Sequence, residues 1–253
     1  MVKTKYNYSS PIVNNSKTEL LIDFKDYPLT EIYQRFNDNS FEFQTAYDQE
    51  LRFCSESNHA FLGNLLPQDF IYHSDNYHTA SSSSIGSVAS LNNFFTFIDK
   101  NLKNGTQSFI DIGANDSTLL KKFSNMGAKL IGIDPHANSD DKNIICLKDY
   151  LENVDLSIYS QDKKTFLSSH TLEHINNPRE FMRILSQFSS EDDQFFFQFP
   201  SFDLLLRDMR FDQIHHQHIH YFSIQSFSQL ISEFGFELLD YHLDSEHYGT
   251  LMV

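Results

Sequence analysis

Two short strings restrict what this chain can fold into. One is Phe109-Ile110-Asp111-Ile112-Gly113-Ala114-Asn115-Asp116, the other Leu130-Ile131-Gly132-Ile133-Asp134-Pro135. Each is an apolar run of strand length that ends in a glycine or acidic turn, and Ser117 to Met126 between them reads as a helix. A strand, a glycine turn, a helix and a second strand with an acid at its tip is the unit by which an open α/β sheet holds an adenosine moiety. Asp134 follows Gly113 by 21 residues, a spacing that lets a carboxylate reach both ribose hydroxyls.

The rest of the chain repeats that rhythm. Asn143–Leu147, Thr165–Ser169 and Gln194–Phe199 read as further strands, and Asn177–Phe188 and Ser226–Phe234 as helices, the second stopped by Gly235. Phe236–Leu243 and Tyr248–Val253 read as a closing pair of strands. The pattern predicts an α/β, Rossmann-like fold: a seven-stranded, mostly parallel sheet with one antiparallel strand and helices on both faces. Ile85–Leu102 has helical spacing and follows the run Ser81–Ser84, which reads as a loop, a helix cap or an anion site. Residues 1–75 form a small N-terminal appendage in this reading, with short strands at Glu19–Phe24 and Gln49–Cys54, a short helix at Leu29–Phe36 and a helix start at Pro67. Residues 76–253 form the ligand-binding domain.

Composition excludes several functions. A formal net charge of −15 is unsuited to a nucleic-acid backbone or an anionic membrane surface, which need clustered Lys and Arg. A small-molecule substrate is expected instead. Two cysteines, Cys54 and Cys146, make neither a disulfide framework nor a four-cysteine zinc site. With no apolar signal-like segment at Met1–Tyr8, the expected location is the cytoplasm.

The glycine turn lacks the G-x-G-x-x-G pattern, which disfavours a nicotinamide cofactor. Ile112-Gly113-Ala114-Asn115-Asp116-Ser117 instead resembles the I-G-x-N-D-G turn of S-adenosylmethionine-dependent sugar C-methyltransferases, and Gly132-Ile133-Asp134-Pro135 resembles the strand they place on the ribose. Tyr77–Ser84 resembles that family's Y-x-Y-x-S-S segment, Phe211–Ser223 its D-x-x-Y-H-E-H-x-x-Y-F-S segment, and His247–Val253 its H-G-G-S-L-R-V strand. The resemblance implies a class I methyltransferase that takes S-adenosylmethionine and releases S-adenosylhomocysteine. It places Gly113, Asn115, Asp116, Asp134 and Pro135 at the cofactor, with Asp111 toward the ammonium of its tail; by topology, Asp149 and Tyr150 after the third strand and His170 at the tip of the fourth are expected to join them. It implies a nucleotide-linked sugar or a surface-polysaccharide (capsule) precursor as acceptor.

The sequence departs from that family in three places. Cys54-Ser55-Glu56-Ser57 stands where a C-x-x-C pair of a zinc module falls, so the appendage is expected to be a reduced, metal-free relic. The sequence reaches Val253 where the family continues into a domain that covers the substrate, so a smaller cover or a partner subunit is expected, either a second copy or a paralogous methyltransferase. Gln217 replaces the Glu of the family's Glu-His pair, and Thr79 replaces its second Tyr. His218 takes the His position and is the expected general base, with Gln217, His216 and His174 orienting the acceptor. Carbon and oxygen remain open as the methylated atom, and O-methylation of a phosphoramidate-type capsule group is a further variant.

Four histidines, His215, His216, His218 and His220, lie within six residues. They allow a substrate pocket with one working base or a structural cluster. They also allow a metal site on one strand face through His216, His218 and His220, although no metal is expected. The losses around His218 also fit a cofactor-binding subunit without chemistry of its own.

Overall fold

The computed structural model describes residues 5–14, 16–30, 46–71, 80–245 and 249–253, without the side chains of residues 68 and 69. Most of the proposed helix Leu29–Phe36 and the segment Tyr77–Thr79 lie outside the described residues, as do His247 and Tyr248.

Among the described residues, beside a two-stranded pairing of Lys5–Tyr6 with Asn64–Leu65, two larger sheets organise the chain. The smaller one contains β1 (Glu19–Pro28), β2 (Ala46–Cys54) and β3 (His59–Leu62), all antiparallel. The larger one follows helix α1 (Ile85–Asn101), whose Ser84 accepts a hydrogen bond from the Ser87 amide and so caps it. Its strands are β4 (Ser108–Ile112), β5 (Lys129–Ile133), β6 (Ile144–Leu147), β7 (Lys164–Ser169) and β8 (Gln194–Pro200). After helices α2 (Pro178–Phe188) and α3 (Phe202–Asp208) comes the two-residue strand β9 (His220–Tyr221). Helix α4 (Ile224–Ser232), β10 (His242–Asp244) and β11 (Thr250–Met252) complete the chain.

The seven strands lie in the order β10-β11-β8-β7-β4-β5-β6. All are parallel except β11, which pairs antiparallel with β8 and β10. Every residue of β4 is buried, as expected of a parallel strand covered on both faces. The chain winds outward from β4 through β5 and β6, then returns to β7 on the other side. The crevice beyond the carboxyl ends of β4 and β7 is therefore the switch point at which open α/β sheets bind ligands.

Two local elements differ from the sequence expectation. Ser117–Met126 is not a full α-helix; it narrows to a 3-10 turn at Leu120–Phe123. Asn115 and Ser117 both sit at left-handed φ, 47° and 60°. Helical geometry is thus barred until residue 118, and Gly127, with φ 70°, ends it. Phe236–Leu243 supplies only the short strand β10. The other helices agree within a few residues: Asn177 caps α2 with Pro178 at its start, and Ser223 and Ser226 form a capping box on α4.

The small sheet is completed from the far end of the chain. Strand β9 pairs with β3, His220 opposite Phe61 and Tyr221 opposite Ala60. Leu51, Ala60 and Leu62 share one apolar core with Phe202, Leu205, Ile214 and Tyr221. The fully buried rings of His59 and His220 meet at 3.2 Å, and His220 Nε2–H donates to the Ile175 carbonyl at 2.8 Å. Buried Cys54 is surrounded by hydroxyls. Burial raises its thiol pKa, but hydrogen bonds from Ser57, Ser10 and Ser16 outweigh that and hold it below the ordinary range.

Candidate active site

A cleft of about 800 Å³ opens at the switch point. Its floor is the turn after β4. Gly113 has φ 82°, and a Cβ there would stand 1.9 Å from Thr171 Oγ1, so only glycine fits. The Gly113 amide donates to the Ile133 carbonyl at 2.8 Å, and Thr171 Oγ1–H points to the Ile112 carbonyl at 3.2 Å. The carboxyl ends of β4, β5 and β7 are thereby held together by one backbone hydrogen bond and the Thr171 hydroxyl.

Three acids stand around this floor. Asp111 is buried, and among the described residues its Oδ1 has no hydrogen-bond partner. Burial, and then the neighbouring Asp134 charge, push its carboxyl up to about 8. Asp134 accepts from the His136 amide at 2.6 Å and from the Asn115 amide at 3.4 Å, which fixes its carboxylate at the tip of β5. Asp116 faces away from the cleft. It accepts the Ser82 amide at 2.9 Å and the Thr118 hydroxyl at 2.7 Å, tying the serine run before α1 to the glycine turn. Burial raises its carboxyl, but these hydrogen bonds bring it below the ordinary range. Pro135, Asp149 and Tyr150 line the cleft beyond β5 and β6. Asp149 is held below its usual range by Asn153 and the Tyr150 amide.

The opposite wall carries the histidines. After β7 the chain turns through His170, at φ 51°, and drops Glu173 into the interior, where it is fully buried. His170 Nδ1 meets Glu173 Oε1 at 3.2 Å, and His174 Nε2 lies 3.9 Å from the same oxygen. Burial raises the Glu173 carboxyl, yet the His170 hydrogen bond and the His174 and His170 charges hold it below its ordinary range. The His218 ring lies 5.0 Å from that of His174 and 3.8 Å from that of His215. Burial, then the charges of His215, His174 and His170, keep His218 well below the usual imidazole range. It is therefore neutral at physiological pH, and its Nδ1 has no hydrogen-bond partner among the described residues.

Asp111, Gly113, Asn115, Asp134, Pro135, Asp149, Tyr150, His170, His174 and His218 all line one cleft. Two others sit behind it. Gln217 bridges His215 Nδ1 at 3.0 Å and the Thr30 carbonyl at 2.7 Å. His216 points into the small sheet, donating from Nε2 to the Tyr27 carbonyl at 3.1 Å and accepting the Gln49 amide on Nδ1 at 3.0 Å. Residues 215–219 are not a strand, so His216, His218 and His220 share no face. Sequence reasoning missed Glu173, Thr171 and His215. The signal for Glu173 was its place three residues after His170 and one before His174.

A family model described as a methyltransferase domain matches residues 86–241. Among curated proteins, the C-methyltransferase NovU of Streptomyces niveus is 25% identical over 158 residues, covering 57% of this chain and 36% of that protein. The chain thus spans little more than a third of that relative's length. Among solved structures, the magnesium protoporphyrin IX methyltransferase of Synechocystis PCC 6803, with S-adenosylhomocysteine bound, superposes with a TM-score of 0.51. Its identity is 10%, and the match covers 66% of this chain and 82% of that one. The 1,6-didemethyltoxoflavin-N1-methyltransferase of Burkholderia thailandensis gives 0.52 at 12% identity, covering 65% and 76%. At these identities the likeness establishes the fold, a Rossmann-like α/β sheet. Among the described residues, no helix is long and apolar enough to cross a membrane.

Proposed function

The chain belongs to the methyltransferase-domain family, and from that premise we propose that it methylates a small polar acceptor, using S-adenosylmethionine as donor. The observation that carries this reading is the single cleft with acids on one side and histidines on the other. The donor fits the acidic side. The unpartnered, buried Asp111 oxygen suits its ammonium group, and Asp134 suits the ribose hydroxyls. When bound there, the donor supplies an electrophilic methyl carbon on a sulfonium.

The protein's own part is alignment and proton removal. His174 and His218 face the space where the acceptor stands. His174 Nδ1–H donates to the Gln217 carbonyl at 2.8 Å, which fixes its ring. His218 Nδ1, which has no partner among the described residues, would take the proton of an acceptor hydroxyl as that oxygen bonds the methyl carbon and the carbon–sulfur bond breaks, the donor leaving as neutral S-adenosylhomocysteine. Buried Glu173 holds the His170 ring in place through its Oε1, at 3.2 Å from Nδ1.

The acceptor we favour is a hydroxyl on a nucleotide-linked sugar or another surface-polysaccharide precursor. With an amide, Gln217, in place of a carboxylate and turned away behind His218, the site suits a hydroxyl better than a carbon acid. The likeness to NovU favours carbon as the second reading.

Calorimetry with S-adenosylhomocysteine tests the donor. Asp134→Ala is expected to weaken binding by about 1–3 kcal/mol; unchanged affinity removes Asp134 from the site, and a response to NAD alone overturns the reading. Transfer of labelled methyl to sugar nucleotides tests the acceptor. Tight donor binding with turnover only when a second methyltransferase chain is added would make this a cofactor-binding subunit.

A further inference from the structure

The side chains on the histidine wall are arranged as ligands, although nothing in the fold demands it. We propose that Glu173, His174 and His218 form a binding site for a divalent transition-metal ion. One carboxylate oxygen and one nitrogen from each ring lie within 4.8 Å of one another. Ligand atoms bonded at about 2.0–2.2 Å to a tetrahedral ion lie about 3.3–3.6 Å apart, so shifts of under about 1 Å at each ligand atom close the site.

Three features set this group apart from a chance cluster. The Glu173 side chain is fully buried, and among the described residues its Oε2 has no hydrogen-bond partner. A carboxylate buried with an open lone pair calls for a cation. His174 Nδ1–H donates to the Gln217 carbonyl at 2.8 Å, which leaves Nε2 as an acceptor on the Glu173 side. His218 Nδ1 is buried and has no partner among the described residues, which leaves it open to an ion. The Gln217 carbonyl thus fixes the tautomer of His174, as outer-shell carbonyls do for metal-binding histidines. His170 plays the matching part for Glu173, holding Oε1 at 3.2 Å.

Two imidazoles and one carboxylate suit zinc, iron, cobalt or manganese in the divalent state. All three residues line the cleft, so the remaining coordination positions face the acceptor's space. There the ion would hold an acceptor oxygen and lower the pKa of its proton, which would then leave to solvent water. Ion and proton compete for the same His218 lone pair, so the ion does by coordination what the free imidazole does by accepting a proton. That role rests on the methyl-transfer reading; the binding of the ion does not.

Cobalt(II) titration of the chelator-stripped full chain, followed by visible absorption, tests the site. One equivalent should produce the intense d–d bands of a four- or five-coordinate nitrogen and oxygen site, and zinc should displace it. Glu173→Gln and His218→Ala should each weaken cobalt binding by about 10–100-fold or more. His242→Ala, on the exposed start of β10, should leave it unchanged. S-adenosylhomocysteine affinity, measured on the same samples, reports whether each variant is folded. Absence of bands, or wild-type affinity in both site variants, overturns the proposal. Cobalt binding without S-adenosylhomocysteine binding would leave the metal site standing and remove the donor reading.

Discussion

The two walls of the cleft are built by different means. The acidic wall is made by backbone. Gly113, Asn115 and Asp134 lie within 22 positions of one another, and their geometry follows from turns at the ends of adjacent parallel strands. The histidine wall is made by side chains from distant segments: Glu173 and His174 after β7, His215 and His218 after α3. A short contiguous motif can specify the first. The second exists only once the chain has folded, its two halves meeting across 43 residues where His174 bonds the Gln217 carbonyl. The first wall should tolerate surface change and fail on backbone change, and the second should do the reverse.

His218→Ala is the largest test of that contrast. Turnover should fall on the order of 10²–10⁴-fold while S-adenosylhomocysteine affinity stays at the wild-type value. A loss of donor affinity in this variant would mean that the two walls are one unit.

Gly113→Ala comes next. Its Cβ would meet Thr171 Oγ1 at 1.9 Å, on a backbone at φ 82°, and left-handed strain alone costs about 1–3 kcal/mol. Donor binding should drop on the order of 100-fold by calorimetry, and adding Thr171→Ala should recover part of it. Full affinity in the single variant would show that the strand ends are not held together by this contact.

Asp111→Asn gives the smallest effect and the sharpest sign. Because the folded carboxyl is pushed up to about 8, the native state keeps a proton that the unfolded chain has lost above the ordinary carboxylate range. Stability of the ligand-free protein therefore falls at this position as pH rises from about 4 to about 8. A bound ammonium favours the ionised form, so donor binding should release a proton and tighten toward pH 8, by at most about tenfold per pH unit. Melting temperatures and calorimetry in buffers of different ionisation enthalpy should show this slope in the wild type and not in Asp111→Asn.

Legibility in the sequence divides along the same line. Strand-length apolar runs, Gly113 and the spaced Asp134 announce the sheet and the acidic wall because local spacing encodes them. The pattern over Ser117–Met126 reads as a helix because Ser117 carries no sign of the left-handed turn it makes. The histidine segment showed its composition but not its directions. His218 faces the cleft, His216 faces Tyr27, and His220 faces His59. A run of five residues without strand or helix geometry has no fixed period from which to read such facing. Glu173 goes unread in the sequence because only the fold shows that it is buried between two histidines.

Strand β9 also sets a timetable for synthesis. His59 and His220 are 161 positions apart, so β3 has no β9 neighbour until residues 220 and 221 have been made. At about 5–20 residues per second, that leaves the nascent β3 with an open edge for roughly 8–30 s. During that interval the growing chain depends on chaperones, or on its own delayed collapse, to keep the edge from pairing with another nascent chain. Slower translation across the stretch between them should therefore lower the soluble yield of this protein.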